Sequence, residues 1–101
     1  MTQHKDEHLQ SAVHAAAAEF INRESNRRSL ITVTHVELRD RGKNARIFIS
    51  VFPPEQTAAA IDFLSRQKDE FRTYLRQQIR SRSLPACSFL PDPNMGSIQE
   101  S

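Results

Sequence analysis

A chain of 101 residues and 11.6 kDa has room for one domain of ordinary size and excludes a second, catalytic unit beside it. Hydrophobic residues make up 38%, charged residues 26%, and the formal net charge is +2; this balance lies outside the disordered and fibrous ranges and predicts a single thin core. No run approaches the ~18 consecutive apolar residues of a membrane helix, Met1-Thr2-Gln3-His4-Lys5-Asp6 lacks the apolar core of a signal peptide, and the lone Cys87 can form neither an internal disulfide nor a structural zinc site, so a cytoplasmic location is expected.

From about Glu7 to Glu24, Leu9, Val13, Ala16, Ala17, Phe20 and Ile21 recur at spacings of three and four, which predicts a helix with one apolar stripe. The run Ala15 to Ala18 adds helix propensity and admits a close neighbour. Residues 1–6 are expected to fray, and Asn22-Arg23-Glu24-Ser25-Asn26 breaks the pattern. The β-branched stretch Leu30 to Leu38 predicts a strand. Its alternation changes phase, because Ile31 and Val33 are out of step with Val36 and Leu38, so either a bulge or burial on both faces is required. The turn-prone Asp40-Arg41-Gly42-Lys43-Asn44 leads into Ala45 to Phe52, which alternates cleanly with Ala45, Ile47, Ile49 and Val51 on one face. A hairpin with a basic tip is expected.

Pro53-Pro54 ends the strand, and Pro54 and Glu55 suit the first turn of a helix continuing through Thr57 to Leu64. Apolar residues vanish from Ser65 to Glu70 and return as Phe71, Tyr74, Leu75 and Ile79. The gap suits a kink between two helices, yet the seven-residue step from Leu64 to Phe71 keeps the phase of one straight helix, and the pattern leaves both open. Leu84 to Leu90 predicts a short strand, with Pro85 favouring an edge or a strand start. The domain is expected to span 1–92, with 93–101 a flexible tail.

Positive charge is concentrated in two segments. Residues 65–82 hold Arg66, Lys68, Arg72, Arg76, Arg80 and Arg82 against Asp69 and Glu70, and residues 39–46 hold Arg39, Arg41, Lys43 and Arg46 against Asp40. Arg72, Arg76 and Arg80 recur every four residues beside the stripe of Phe71, Leu75 and Ile79, so one face packs while the other forms a basic ridge. Guanidinium forks donate paired hydrogen bonds to phosphate oxygens and release condensed counterions, which is what nucleic-acid binding requires. A solvated helix face is the plain alternative.

Other chemistry finds little support. His4 and His8 have helical spacing but no third ligand, so no metal site is expected; His14 reads as a helix-surface residue and His35 as a structural strand histidine. There is no Gly-rich phosphate cradle, nucleophile elbow or pair of carboxylates at a reliable spacing, and neither enzymatic activity nor a cofactor is expected. Phe48 and Phe52, four apart on the non-core face, support an alternative reading in which an apolar patch docks a protein partner or a second copy, without RNA.

The runs Asn44-Ala45-Arg46-Ile47-Phe48-Ile49-Ser50-Val51-Phe52 and Arg82-Ser83-Leu84-Pro85-Ala86-Cys87-Ser88-Phe89, in this order of elements, resemble the bacterial ribosome-binding factor A family. Its second strand carries an Ala, basic, aliphatic, aromatic, aliphatic, Ser pattern, and its last strand is introduced by Arg, two residues, Pro and a later Phe. The resemblance runs from about Leu9 to Asp92 and includes Thr32 to Glu37 and the Phe71-Arg72 pair. It implies an α+β, type II KH-like domain of order α-β-β-α-(α)-β, with helices on one face of a three-stranded sheet. It also implies an assembly factor that binds the small ribosomal subunit and assists late maturation of its ribosomal RNA, without a catalytic site. Separately, a monomer with no small-molecule substrate and no membrane partner is expected. Carried onto this chain, the family's basic helix, kink, helix surface comprises Lys68, Arg72, Arg76 and Arg80, with Arg82 following; local charge adds Lys43 and Arg46. Where the family has Ala, any residue, Gly at the kink, this chain has Gln67-Lys68-Asp69, and no glycine occurs between Gly42 and Gly96. A glycine permits a sharp bend and close approach to RNA, whereas Asp69 opposes phosphate. Sequence-specific base reading is not expected from so few exposed aromatics.

Overall fold

The computed structural model describes residues 2–24, 29–79 and 83–94, with side chains in the first helix described from His8 onward. Helix α1 (Thr2–Glu24) precedes strands β1 (Leu30–Arg39) and β2 (Asn44–Phe52), helices α2 (Thr57–Arg66) and α3 (Lys68–Gln78), and strand β3 (Ala86–Pro91). A single 3-10 turn, Pro54–Gln56, leads into α2. Helix α1 begins at Thr2, ahead of Glu7 where the apolar periodicity starts. That extension is polar, so no apolar stripe announces it, and it contains no helix breaker. The segment 95–101, most of the expected tail, lies outside the described residues. Among the described residues no helix is long and apolar enough to cross a membrane.

Strand β2 is central: β1 pairs with it antiparallel, through the hairpin, and β3 pairs with it parallel. Parallel pairing needs a long crossover, which α2 and α3 supply. Pro85 is buried just before β3, and the strand starts at Ala86 rather than Leu84. The phase change in β1 is resolved by a bulge, since the register with β2 shifts between Val33 and His35 and leaves Thr34 as the extra residue. Ile31, Val33, Val36 and Leu38 thereby all face the core, opposite Val51, Ile49, Ile47 and Ala45. Gln10 Nε2 donates to the Val36 carbonyl and ties α1 to β1 just past the bulge.

The hairpin tip turns through three consecutive left-handed residues, Asp40 (φ 55°), Arg41 (φ 57°) and Gly42 (φ 85°). The Gly42 N–H donates to the Arg39 carbonyl at 3.1 Å, and Asn44 Nδ2 donates to Asp40 Oδ2 at 2.5 Å. Gly42 alone takes this conformation without a Cβ penalty, and an added Cβ would also meet Leu9 Cδ2 at 3.4 Å.

One core lies between the sheet and the helices. Val13, Ala17, Phe20 and Ile21 from α1 meet Ile47, Ile49 and Val51 of β2, together with Leu64, Phe71, Leu75 and Phe89. The Phe71 ring joins three elements, at 5.2 Å from Phe20 and 5.6 Å from Phe89 between centroids. Above it the Tyr74 hydroxyl donates to Glu19, and the Arg23 guanidinium lies 5.2 Å from the Tyr74 ring, clasping α3 to α1.

The two helices of the crossover are distinct, which decides the question that spacing left open. Gln67 separates them with φ −94° and ψ 10°, in the sparsely populated bridge region. Its N–H donates to the Leu64 carbonyl at 3.0 Å and its carbonyl accepts from the Phe71 N–H at 2.8 Å, so the bend satisfies both backbone groups without glycine. The side-chain Oε1 of Gln67 is buried with no donor among the described residues. An orphaned acceptor costs about 1–3 kcal/mol. Gln67→Met is therefore expected to raise the thermal midpoint by about 4 °C or more, read by circular dichroism; a lowered midpoint would show that the amide supports the bend.

Candidate nucleic-acid interface

Helix α3 buries Phe71, Tyr74 and Leu75, and this packing turns Lys68, Arg72 and Arg76 outward to solvent. Four-residue spacing places the three cations on one ridge, about 6 Å apart along the axis. Among the described residues the ion pairs are Arg39 with Glu37 (3.0 Å), Arg46 with Glu37 (3.8 Å) and Arg66 with Asp62 (3.2 Å). No described carboxylate pairs with Lys68, Arg72 or Arg76. Asp69 and Glu70 sit in the first turn of α3, where they complement the positive end of the helix dipole rather than neutralise the ridge.

Lys68, Arg72 and Leu75 face Pro85, Ala86 and Cys87 across a shallow groove between α3 and β3. Burial pushes the Cys87 thiol up to about 11, against the smaller opposing pull of Arg72 and Lys68, and its Sγ lies 3.6 Å from the Pro85 carbonyl. Two outcomes are expected. The thiol should resist alkylation at neutral pH until the protein unfolds, read as labelling against denaturant. Because its folded pKa is raised from 9.0 to about 11, its contribution to stability should be complete below pH 9 and decline between pH 9 and 11; a Cys87→Ala variant lacking that decline isolates it.

The remaining expected site residues divide. Lys43 is exposed at the hairpin tip, and its carbonyl accepts from the Ala86 N–H at 2.8 Å, so the tip adjoins the β3 end of the groove. Arg46 points from the opposite face of the sheet, where it shares Glu37 with Arg39. Arg80 and Arg82 lie outside the described residues. His14 and His35 flank a cleft between α1 and β1 with Gln10 and Thr34; the described residues contain no group of three side chains able to hold a metal ion, and the His4 side chain is outside them. One arrangement the periodicity did not announce is the pairing of His35 with Phe48, rings 6.0 Å apart and 23° from parallel. Recognising it requires the bulge at Thr34, which moves His35 onto the face carrying Phe48.

The family model of ribosome-binding factor A matches residues 3–100. A ribosome-binding factor A from Thermodesulfovibrio yellowstonii is 33% identical over 69 residues, which is 68% of this chain and 58% of that protein, so the match spans little more than half of that relative. Another from Carboxydothermus hydrogenoformans is 30% identical over 98 residues, covering 94% of this chain and 78% of that protein. The crystal structure of ribosome-binding factor A from Thermus thermophilus superposes with a TM-score of 0.74 at 31% identity, over 84% of this chain and 92% of that one. A homology model of the Thermus thermophilus factor, fitted into a cryo-EM map of a 30S-RbfA complex, gives 0.72 at 32% identity, over 83% and 91%. The family model runs over the strand motifs, the divided crossover and the basic ridge alike, and the chain belongs to the ribosome-binding factor A family.

Proposed function

We propose that this protein is an assembly factor that binds the small ribosomal subunit and assists late maturation of its ribosomal RNA, acting as a monomer in the cytoplasm. The observation that carries this reading is the ridge of Lys68, Arg72 and Arg76 on α3, exposed and free of described ion pairs, immediately beyond the bend at Gln67. Three cations spanning about 12 Å reach several phosphates of a folded strand, and Lys43 extends the field from the adjoining hairpin. In sequence Arg80 and Arg82 continue it. Contacts of this kind read the shape and charge of RNA rather than its base edges.

No chemical step is assigned: binding is the activity. A protein that holds one RNA conformation more tightly than another shifts the population toward it by that differential affinity. This supports a maturation role without a catalytic residue, and a 30S complex of a relative in the same family supports the partner.

Co-sedimentation with small subunits, mature ribosomes and free RNA tests the reading. If four to six phosphates are neutralised, affinity for the small subunit is expected to fall by about two to three orders of magnitude between 50 and 200 mM salt. Salt-independent retention would overturn the electrostatic mechanism, and no retention on any particle would overturn the partner.

A further inference from the structure

The face of the sheet turned away from the helices has a pattern of its own. Strand register sets His35, Phe48 and Leu90 in one row across β1, β2 and β3. Phe48 is half-buried between these neighbours and His35 is exposed, with the imidazole and phenyl rings nearly parallel. Toward one end lies the row of Thr32 and Ser50, and beyond it Leu30 and Phe52, 68% and 70% exposed. Toward the other end lie Arg46 and Arg39, with Glu37 shared between them at 3.8 and 3.0 Å.

Rings, hydroxyls and guanidinium groups thus alternate along the strands at about 7 Å per row. A protein interface of ordinary size is built around a contiguous apolar centre with charge depleted from it; here hydroxyls separate the two apolar rows and cations border the inner one. Glu37 is the one carboxylate among the strand residues on this face, leaving an excess of positive charge that the exposed Arg41 and Lys43 continue at the hairpin tip. Aromatic platforms for bases, beside cations for phosphates and hydroxyls for sugars, are the chemistry that takes an unpaired RNA segment.

We propose that the open face of the sheet, centred on Phe48 and His35, binds a short unpaired RNA segment by base stacking, with Arg46 and Arg39 on its phosphates. This rests on the RNA-binding reading above but uses the opposite face from α3. The protein then holds structured RNA with its ridge and a neighbouring single strand with its sheet. Stacking of this kind tolerates any base and adds no base-edge reading.

Fluorescence anisotropy of a labelled eight-nucleotide oligouridylate and of a stable RNA hairpin, at low salt, tests the proposal. Phe48→Ala is expected to weaken the oligonucleotide by about 5- to 150-fold, with Phe52→Ala, at an exposed position that spares the fold, weakening it several-fold. Phe48→Tyr, which keeps the ring, should bind as the parent does. Circular dichroism confirms folding, and binding of the RNA hairpin, which the ridge alone takes, should stay within about two-fold in Phe52→Ala. Arg72→Glu with Arg76→Glu should do the reverse, losing the hairpin and keeping most oligonucleotide binding. Unchanged oligonucleotide binding in both phenylalanine variants, or its loss only with the arginine reversals, overturns the proposal. So does a concentration-dependent dimer that Phe52→Ala dissolves. Oligonucleotide binding that depends on Phe48, in a protein that small subunits never retain, supports the stacking face and overturns the assembly-factor reading instead.

Discussion

Arg72→Glu combined with Arg76→Glu is expected to abolish retention on small ribosomal subunits at salt concentrations where the parent protein is fully bound. Each change removes a charge-assisted contact, a class worth about 1.5–3 kcal/mol, and adds a charge that repels phosphate. Two such contacts correspond to a loss of about 10²- to 10⁴-fold before repulsion is counted. The fold should be untouched, because both side chains are exposed and neither has a described ion-pair partner. Arg72 has an internal reporter: its charge lowers the Cys87 thiol, so its reversal should raise that pKa further in a protein that is still folded. Arg66→Glu is the control, since Arg66 is already paired with Asp62 at 3.2 Å on α2 and should cost little. Co-sedimentation of the double variant at the parent level would sink the ridge as the RNA site.

Phe71→Ala should give the largest loss of stability. Phe71 is 1% exposed and contacts Phe20 of α1 and Phe89 of β3, so its ring is the point where the bent crossover meets both the long helix and the last strand. Truncating a buried phenylalanine costs about 3–5 kcal/mol, a large share of the roughly 5–15 kcal/mol that holds a domain folded. The thermal midpoint is expected to drop by about 15 °C or more, read by circular dichroism. Function should follow, because Phe71 sits between Lys68 and Arg72 and its anchorage sets the ridge against the Pro85–Cys87 wall of the groove. A midpoint within a few degrees of the parent would mean that the site collapses around the missing ring and that α3 is held mainly by Leu75 and the Tyr74 to Glu19 clasp.

Much of the candidate site was legible along the chain. The ridge follows from a cation at every fourth position beside an apolar stripe, a property of eleven consecutive residues, and the structure turns Lys68, Arg72 and Arg76 outward as that spacing predicts. Arg46 shows the limit of local charge. It lies in a basic segment, but alternation along β2 sends it to the face opposite Ala45 and Ile47, and its carboxylate neighbour Glu37 comes from the other strand. The same holds for His35, which joins Phe48 only because an extra residue at Thr34 resets the phase of β1. Gln67 is the third case: either a bend or a straight helix agrees with the seven-residue step. A single residue in the bridge region bends the chain while Phe71 still reaches the core.

The order of helices and strands, the core-facing residues of α1 and β2, the basic ridge and the family motifs can all be read without a structure. Each is a periodicity or a short motif, expressed between residues a few positions apart. The tertiary structure decided the bulge at Thr34, the bend at Gln67, the parallel pairing of β3 with β2, and the grouping of His35 with Phe48 and of Arg46 with Glu37. These depend on which of two locally permissible backbone paths buries more of the chain, or on strand partners from 9 to more than 40 positions away, and that balance exists only once the core has formed.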